Sequence, residues 1–427
     1  MRVLLLTQYY PPEVGATQNR MHFFARRLAE LGHHVTVVAE VPNHPAGIIF
    51  PGFRWKLWTR TVEDDVHVIR VWVMTSPRKT FLVRTGFYLT YAINAVLASL
   101  LLAGRRHDVV FATSPPLTVG IPALLYAKLR RVPFVLDVRD LWPLLAVELG
   151  ELRSPPVVRI AHGLERLLYR HAAAITVVTR GFASYLREQG CPDDRIVLLP
   201  NGTIPELFRP LPPDPSLSAS IGLDRAFVVG FFGNHGIAQD LEGVLETARL
   251  MARGGPGERD ERVRFLFVGE GPVKAHLVAE QRRLGLDTII FLPQVPQAEV
   301  ARYINLSDAV LVPLRKLDIF HAFVPSKLFD FMACARPVLL QVDGEARQIL
   351  DEARAGLFVA PGDPGALAAA IRQLADMDAA QRSAMGAAGL AFVGRRYLRE
   401  TQVARLDALL KALVSGRPVP EPAETPS

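Results

Sequence analysis

The stretch from Phe323 to Leu340 places one lysine and one acid on an apolar helix pattern. Lys327 and Asp330 lie three residues apart, so on a helix they project from the same face. Lys327 brings positive charge for a phosphate, and Asp330 can accept hydrogen bonds from sugar hydroxyls. Pro325 suits the first turn of this helix, where backbone N–H groups and the dipole favour an anion. The stretch therefore predicts a site for a phosphorylated sugar, and an ordinary surface ion pair is the alternative.

A second group of charged residues lies in the segment DVRDLWP. Asp137, Arg139 and Asp140 cluster at the end of the apolar run Phe134–Val138, so two acids flank a cation at the end of a predicted strand. Side chains at the carboxyl ends of parallel strands face the ligand site of such sheets. These three residues are therefore candidates for a ligand site, and a structural ion-pair cluster is the alternative.

Two glycine-containing loops precede predicted helices. Gly15 and Ala16 lie at one helix start, and Gly233 and Asn234 follow a predicted strand, so backbone can approach a ligand closely at both places. Neither loop has the GxGxxG spacing, and a nicotinamide or flavin cofactor is therefore not predicted. Gly269–Pro272 is interpreted as a simple turn.

The elements that must position these residues are short apolar runs alternating with helical patterns. Such alternation is typical of βαβ units and a parallel sheet. A first series predicts about seven strands, and a second series begins after the proline-rich linker 209–215. The first lies at 3–6, 34–39, 67–73, 109–112, 134–138, 174–178 and 196–199; the second at 227–232, 263–268, 289–292, 309–312, 338–341 and 357–359. We therefore expect two Rossmann-like α/β domains facing each other across a cleft.

Composition agrees with a globular protein of two domains. The chain has 427 residues, of which half are hydrophobic and 21% charged, and this length exceeds what one core usually serves. Cys191 and Cys334 match neither a metal spacing nor a disulfide framework, and no signal peptide is recognised at the N-terminus. These features predict a cytoplasmic protein with reduced thiols. Residues 416–427 are rich in Pro and Glu and are expected to be disordered.

Several segments, in this order, resemble the GT-B glycosyltransferases. The resemblance is to the retaining family 4 group, in its bacterial surface-polysaccharide branch of the O-antigen, capsule and colanic-acid type. It covers nearly the whole chain. It rests on YYPPEVGATQNR, TSPPLTVG, DVRDLWP, LLPNGTIPELF, GNHGIAQDLEGVLETA, VGEGPVK, LPQVPQAEVARYINLSDAVLVPL and FVPSKLFDFMACARPVL.

The resemblance implies domain boundaries and roles for individual residues. It implies an acceptor-binding domain at 1–205, a nucleotide-sugar-binding domain at 216–389, and a helix at about 390–415 that packs back on the first domain. Arg139 and Asp140 take catalytic positions: Arg139 stands where many relatives have a histidine near the donor sugar, and Asp140 is the candidate for orienting the acceptor or the donor sugar. Pro293–Val295 matches the segment whose backbone reads the base in such proteins. The implied donor-binding residues are Gly15, Ala16, Gly233, Asn234, Val295, Lys327, Leu328 and Asp330.

The implied reaction is transfer of a sugar from a UDP- or GDP-sugar to a glycan acceptor, with retention of anomeric configuration and without a metal or other cofactor. The acceptor expected for this branch is linked to polyprenyl pyrophosphate. The family usually has two glutamates eight positions apart, but here Ala322 takes the first position and Asp330 the second. Gln239-Asp240 likewise replaces the usual Lys-Gly. These departures keep open an epimerase or an inactive nucleotide-binding protein of the same plan.

The segment between Asp65 and Asp108 contains no acid but several basic residues, including Arg78, Lys79 and Arg84. Within it residues 85–104 are uncharged, and Thr90, Asn94 and Ser99 form a polar stripe. A helix packed on the first domain is preferred, followed by attachment to an anionic membrane surface, with a transmembrane span last. The net charge of +7 agrees with anionic partners. Nucleic acid is not predicted, because aromatic residues do not alternate with the basic ones.

Overall fold

A computed structural model of the protein describes residues 1–44, 46–77, 81–104, 106–212, 214–224, 226–253 and 262–420. Within these residues the chain forms two compact α/β units. The first comprises residues 1–200 and 400–420, and the second comprises residues 201–399. The boundary thus lies at 200 rather than at 205. Residues 421–427 of the predicted disordered tail lie outside the described part of the chain.

The described part of the first unit is built on an eight-stranded sheet in the order β3-β4-β2-β1-β5-β6-β7-β8. Neighbouring strands pair in parallel except β3 and β4. Most of these strands are almost wholly buried, as expected where helices cover both faces. The strands are β1 (Arg2–Leu6), β2 (His34–Glu40), β3 (Trp58–Glu63), β4 (Val66–Val71), β5 (Val109–Ser114), β6 (Phe134–Val138), β7 (Ala174–Val177) and β8 (Ile196–Leu198).

The strand that the sequence did not predict is β3. It pairs only with β4, in antiparallel orientation, and four of its six residues are exposed. An exposed edge strand lacks the apolar run that identified the others. Asp64 and Asp65, both with positive φ, form the two-residue turn between β3 and β4, and Asp is among the residues that tolerate this conformation.

The described part of the second unit contains a six-stranded, entirely parallel sheet in the order β11-β10-β9-β12-β13-β14. All six strands lie where the apolar runs predicted them. They are β9 (Phe227–Phe232), β10 (Val263–Val268), β11 (Ile289–Leu292), β12 (Ala309–Pro313), β13 (Val338–Gln341) and β14 (Gly356–Phe358). The strand order reverses between β9 and β12, as it does between β1 and β5 in the first sheet. In such sheets ligands bind at this reversal, outside the carboxyl ends of the strands.

Helices connect the strands in both units. In chain order the α-helices are α1 (Ala16–Glu30), α2 (Phe81–Leu97), α3 (Gly120–Arg130), α4 (Leu144–Glu148), α5 (Pro155–His171), α6 (Arg180–Glu188), α7 (Pro215–Ser220), α8 (Leu241–Arg253), α9 (Lys274–Leu284), α10 (Gln297–Ile304), α11 (Lys327–Ala333), α12 (Glu345–Ala353), α13 (Pro364–Asp376), α14 (Ala379–Arg396) and α15 (Arg399–Val414). A π-helix, Ala98–Leu102, extends α2. Among the described helices, Val83–Leu102 alone is long and apolar enough to cross a membrane by length and composition, and 28% of that window is buried.

The last helix returns to the first unit, but it starts later than expected. Residues 390–396 are the end of α14 in the second unit, and α15 begins at Arg399. Two ion pairs attach α15 to α1 and the turn after it. Asp407 lies 2.7 Å from His33 Nε2, and Glu400 lies 2.8 Å from Arg27.

Candidate functional site

The strand reversal in the second unit brings Gly233 and Lys327 together. Gly233 directly follows β9, and Lys327 begins the helix that comes after β12. A Cβ placed on Gly233 would lie 3.1 Å from Lys327 Nζ, so only glycine leaves the ammonium its full space. Gly233 has φ +132°, a conformation that other residues rarely adopt. The loop Gly233-Asn234 is exposed at this point, so a ligand can reach both the backbone and the ammonium.

Lys327 carries a desolvated ammonium. Its Nζ lies 4.0 Å from the centroid of the Phe231 ring, and burial lowers the pKa of Lys327 to about 7. Within the described residues no carboxylate forms a salt bridge with it. The ordinary surface ion pair with Asp330 is therefore wrong. A partly buried cation that lies over an aromatic face favours an incoming anion.

Asp330 lies on the same helix in different surroundings. Burial raises the pKa of Asp330 to about 6, while Arg399 and Thr203 favour its ionised form. Its Oδ1 is buried and has no hydrogen-bond partner among the described residues. Burying a carboxylate oxygen without a hydrogen bond costs free energy, so a ligand hydroxyl that donates to Oδ1 would bind favourably here.

Helix α11 is only seven residues long, and this limits its dipole. The predicted contribution of a helix start to phosphate binding is therefore small beside that of the ammonium. Leu328, expected among the donor contacts, has 0% of its side chain exposed, and its N–H donates to the Pro325 carbonyl at 3.0 Å. Leu328 thus packs in the core of the unit.

The loop Gly269–Pro272 is more than the simple turn that the sequence predicted. Gly269 and Gly271 lie against the loop after β9. A Cβ on Gly269 would fall 2.0 Å from the Gly233 carbonyl oxygen. The N–H of His235 donates to the Glu270 carbonyl at 2.8 Å, and the N–H of Val273 donates to the His235 carbonyl at 3.1 Å. The position of the loop after β9 is therefore set by the loop after β10.

Lys274 is a residue that the sequence analysis quoted without giving it a role. Its ammonium donates to the carbonyls of Gly269 at 2.7 Å and Leu292 at 2.8 Å, and to Glu270 Oε1 at 2.7 Å. All three of its N–H donors are thus used inside the protein. Lys274 ties the loop after β10 to the end of β11, directly before the predicted base-reading segment Pro293–Val295. In that segment Val295 is half-buried, and Pro293 and Gln294 are exposed.

In the first unit the acids of DVRD separate into two environments. Asp137 is fully buried and accepts hydrogen bonds from Thr113 at 3.1 Å and Thr176 at 2.8 Å, with Arg20 at 3.4 Å. This is the structural ion-pair cluster that the sequence left as an alternative, but its cation is Arg20 and its acid is Asp137.

Asp140 is half-buried and lies close to Arg139. Burial raises the pKa of Asp140 to about 7, although the positive charge of Arg139 opposes this effect. Asp140 Oδ1 is buried, and in the part of the chain that the structure describes it has no hydrogen-bond partner. Near neutral pH this carboxyl can therefore both accept and release a proton, which is the property of a group suited to acid–base work.

At the strand reversal of the first sheet, α1 begins at Ala16, which is exposed. Gly15 is extended, and its Cβ position lies 2.5 Å from Gln18 Oε1. The sequence analysis missed Glu13. Its Oε1 accepts the N–H groups of Asn43 at 2.7 Å and His44 at 2.8 Å, and burial raises its pKa to about 7. Glu13 thus joins the loops after β1 and β2 and fixes the entry to α1.

The donor-binding and catalytic residues named from the sequence are therefore divided between the two units. Gly233, Asn234 and Lys327 are brought together in the second unit, whereas Gly15, Ala16, Arg139 and Asp140 belong to the first. Within the described ranges, no three His, Cys, Asp or Glu side chains are grouped so that they could hold a metal ion.

Comparison with known sequence families assigns most of the chain. The family described as "Glycosyl transferase 4-like domain" matches residues 15–202, and the family described as "Glycosyl transferases group 1" matches residues 226–377.

Two bacterial relatives match over most of their length. The chain is 26% identical to the glycosyltransferase WbjE of Pseudomonas aeruginosa, over 73% of this chain and 76% of that protein. It is 23% identical to WcaI of Escherichia coli K12, named as a colanic acid biosynthesis glycosyl transferase, over 87% of this chain and 92% of that protein.

Solved structures with the same fold cover nearly the whole chain. Sucrose-phosphate synthase from Thermosynechococcus elongatus superposes with a TM-score of 0.75 at 18% identity, covering 97% of this chain and 99% of that one. HepE of Anabaena, solved in complex with UDP-glucose, gives a TM-score of 0.71 at 16% identity, covering 96% and 100%. With two Rossmann-like units, each matched by its own glycosyltransferase family, this chain is a GT-B glycosyltransferase of family 4.

Proposed function

We propose that the protein transfers a sugar from a nucleoside-diphosphate sugar, with the pyrophosphate held at Gly233 and Lys327. The observation that carries this proposal is the Lys327 ammonium, desolvated over Phe231 at the strand reversal of the second sheet. A phosphate there would regain the electrostatic stabilisation that burial removes from the cation. Asp330, with its unpartnered Oδ1, is the group for the ribose or sugar hydroxyls.

The donor is a UDP- or GDP-sugar. Support for UDP comes from the related folds, since HepE of Anabaena was solved with UDP-glucose and a trehalose-6-phosphate enzyme of E. coli with UDP-2-fluoro glucose. The base would lie against Pro293–Val295, which directly follows Leu292, whose carbonyl accepts a hydrogen bond from Lys274. Val295 then supplies an apolar contact beside polar backbone groups.

Breaking the sugar–phosphate bond places negative charge on the departing diphosphate and positive character on the sugar carbon. The Lys327 ammonium would stabilise the diphosphate, an effect of roughly 10²–10³ in rate for a well-placed donor. In this scheme the ammonium neutralises the charge without a divalent metal. Front-face attack by the acceptor hydroxyl, with its proton passing to the leaving phosphate, would give retention. Asp140 and Arg139 would orient the reacting sugar.

The acceptor we propose is a glycan linked to polyprenyl pyrophosphate, in cell-envelope polysaccharide synthesis. The name of WcaI, which refers to colanic acid biosynthesis, supports this assignment. A lipid-linked acceptor lies in the membrane, so the protein would work in the cytoplasm at the inner face of that membrane.

A donor panel tests this function. Purified protein is incubated with UDP- and GDP-sugars and a polyprenyl-pyrophosphate glycan, and release of free nucleoside diphosphate is measured with and without EDTA. We expect acceptor-dependent release that survives chelation, and NMR of the product should show the donor's anomeric configuration. Interconversion of the donor sugar without release would instead identify the epimerase that the alanine at position 322 leaves open. Loss of turnover with EDTA, restored by magnesium, would overturn the metal-independent scheme.

A further inference from the structure

The exposed side of α2 carries a line of large apolar side chains. Leu89, Ile93, Leu97 and Leu101 recur every fourth residue, with 46%, 60%, 51% and 75% of their surfaces exposed. The neighbouring helix α3 adds Leu125 and Leu129, which are also exposed. We name these six residues the α2–α3 face. A contiguous apolar surface of this kind on a soluble domain usually marks an interaction site.

The polar residues of α2 point the opposite way from those of an ordinary surface helix. Asn94 Nδ2 donates to the Trp72 carbonyl at 2.7 Å, and the Thr90 hydroxyl accepts the N–H of Met74 at 3.0 Å. The Tyr91 hydroxyl donates to the carbonyls of Thr7 and Val38, both at 2.9 Å. Polar groups thus fasten the helix to the first sheet, and its apolar line is left outward. The polar stripe predicted from the sequence is real, but it faces the protein.

The sequence interval that contains α2 and α3 is strongly basic. Asp108 is the only acid in the sequence between Asp65 and Asp137, whereas nine Lys and Arg residues lie in that interval. The carboxylate of Asp108 accepts the backbone N–H of Arg2 at 2.6 Å. Exposed basic residues surround the end of α3, namely Arg106, Lys128, Arg130 and Arg131. Arg84 forms an ion pair with Glu151, and Arg78, Lys79 and Arg105 lie outside the described residues.

We propose that the α2–α3 face docks on the surface of an anionic lipid bilayer. The apolar line enters the boundary between headgroups and acyl chains, and the basic residues contact the phosphates of the lipids. Because α2 is tied to the sheet by Thr90, Tyr91 and Asn94, it lies along the interface and does not span the bilayer. This inference rests on the proposed function in one respect: docking would give the protein access to a lipid-linked acceptor.

Vesicle sedimentation with the full chain tests the proposal. The probes are vesicles of phosphatidylcholine alone and with one-third phosphatidylglycerol, at low and high salt. We expect wild type to prefer the anionic vesicles. A variant with Ile93, Leu97 and Leu101 changed to Gln should bind at least about tenfold more weakly, because less apolar area enters the lipid. Leu250→Gln on α8 of the second unit, which is 37% exposed, is the matched control and should bind as wild type does.

Three further outcomes decide between explanations. Changing Lys128, Arg130 and Arg131 to Gln should weaken binding to anionic vesicles at low salt, and the difference should shrink at high salt. Wild-type binding by the apolar variant would overturn the proposal. A second outcome would also overturn it: wild type forms a dimer but does not bind vesicles, and the apolar variant is a monomer. That result would assign the face to contact with a second copy of the chain. Nucleotide affinity measured without vesicles should be equal in all variants. If the wild type binds no nucleotide, the proposed function is refuted, but the vesicle result still tests the docking proposal.

Discussion

The ammonium of Lys327 lies 4.0 Å from the centre of the Phe231 ring, joining the helix after β12 to the strand β9 beside it. The ring gives the cation a partner that does not neutralise it, so the charge remains available to a ligand. A carboxylate in the same place would compete with phosphate. The aromatic face thus holds the lysine in position while keeping the pocket selective for anions.

The first prediction separates phosphate from nucleoside recognition. Lys327→Met should weaken binding of UDP or GDP about 10–100-fold, because a hydrogen bond to a charged group contributes on the order of 1.5–3 kcal/mol. Affinity for the free nucleoside should hardly change, since it carries no phosphate. Asp330→Asn, by contrast, should weaken both ligands. Titration calorimetry measures the two ratios, and equal losses for diphosphate and nucleoside in the Met variant would contradict the pyrophosphate assignment.

The second prediction concerns pH. The pKa of Lys327 is about 7 in the free protein, and bound diphosphate should raise it. Below pH 7 the Lys327 amine is protonated in both the free and the diphosphate-bound protein. Above pH 7 the amine of the free protein is neutral and must take up a proton when diphosphate binds. Diphosphate affinity should therefore fall between pH 7 and 9, by up to about tenfold per pH unit. Lys327→Arg, which stays charged, should show no such fall, and an equal slope in this variant would assign the titration to another group.

The third prediction sets activity against stability at Asp140. Its pKa is raised to about 7 in the folded protein, against about 4 for an unfolded carboxyl. Ionising this group therefore lowers the free energy of unfolding of the wild type. The loss increases from pH 4 to pH 7 and is constant above pH 7. Asp140→Asn should unfold at higher temperature than wild type at pH 8, and the two should converge near pH 4. The same variant should lower kcat with little effect on diphosphate affinity. A kcat equal to that of wild type would remove Asp140 from the reaction.

The fourth prediction distinguishes the two kinds of contact that Lys274 makes. Lys274→Met removes the hydrogen bonds to the Gly269 and Leu292 carbonyls, so the loop after β10 and the end of β11 should move apart. Binding of diphosphate and of nucleoside should then weaken by similar factors, because both ligands contact these loops. Hydrogen exchange of residues 290–297 should also increase. Glu270→Ala breaks only the exposed ion pair, which contributes little, and serves as the matched control. If both variants behave alike, the carbonyl contacts do not set the loop positions.

The parallel strands could be predicted from the sequence because a buried strand needs an unbroken apolar run, as in Phe227–Phe232 and Val263–Val268. Lys327 and Gly233 could also be located, since each follows a strand in a segment typical of the family. The edge strand Trp58–Glu63 gives no such signal, because most of its side chains face solvent.

Two of the three contacts of Lys274 could not be predicted, because their acceptors are backbone carbonyls five and eighteen residues away. Backbone acceptors leave no residue type to recognise. The direction of the polar stripe on α2 was hidden for a related reason. Asn94 bonds the carbonyl of Trp72, and spacing alone does not say which side of a helix finds such a partner.

The π-helix at Ala98–Leu102 determines the geometry of the line of leucines. In an α-helix four residues turn about 400°, so side chains spaced by four drift about 40° at each step and wind round the axis. The wider π turn advances fewer degrees per residue, which rotates Leu101 back toward the direction of Leu89. From Leu89 to Leu101 the residues span roughly 18 Å along the axis, at about 1.5 Å per residue. In an unbroken α-helix Leu101 would lie about 120° round the axis from Leu89, on a different side of the helix. The single π turn therefore decides whether the last leucine of the line could enter lipid together with the first.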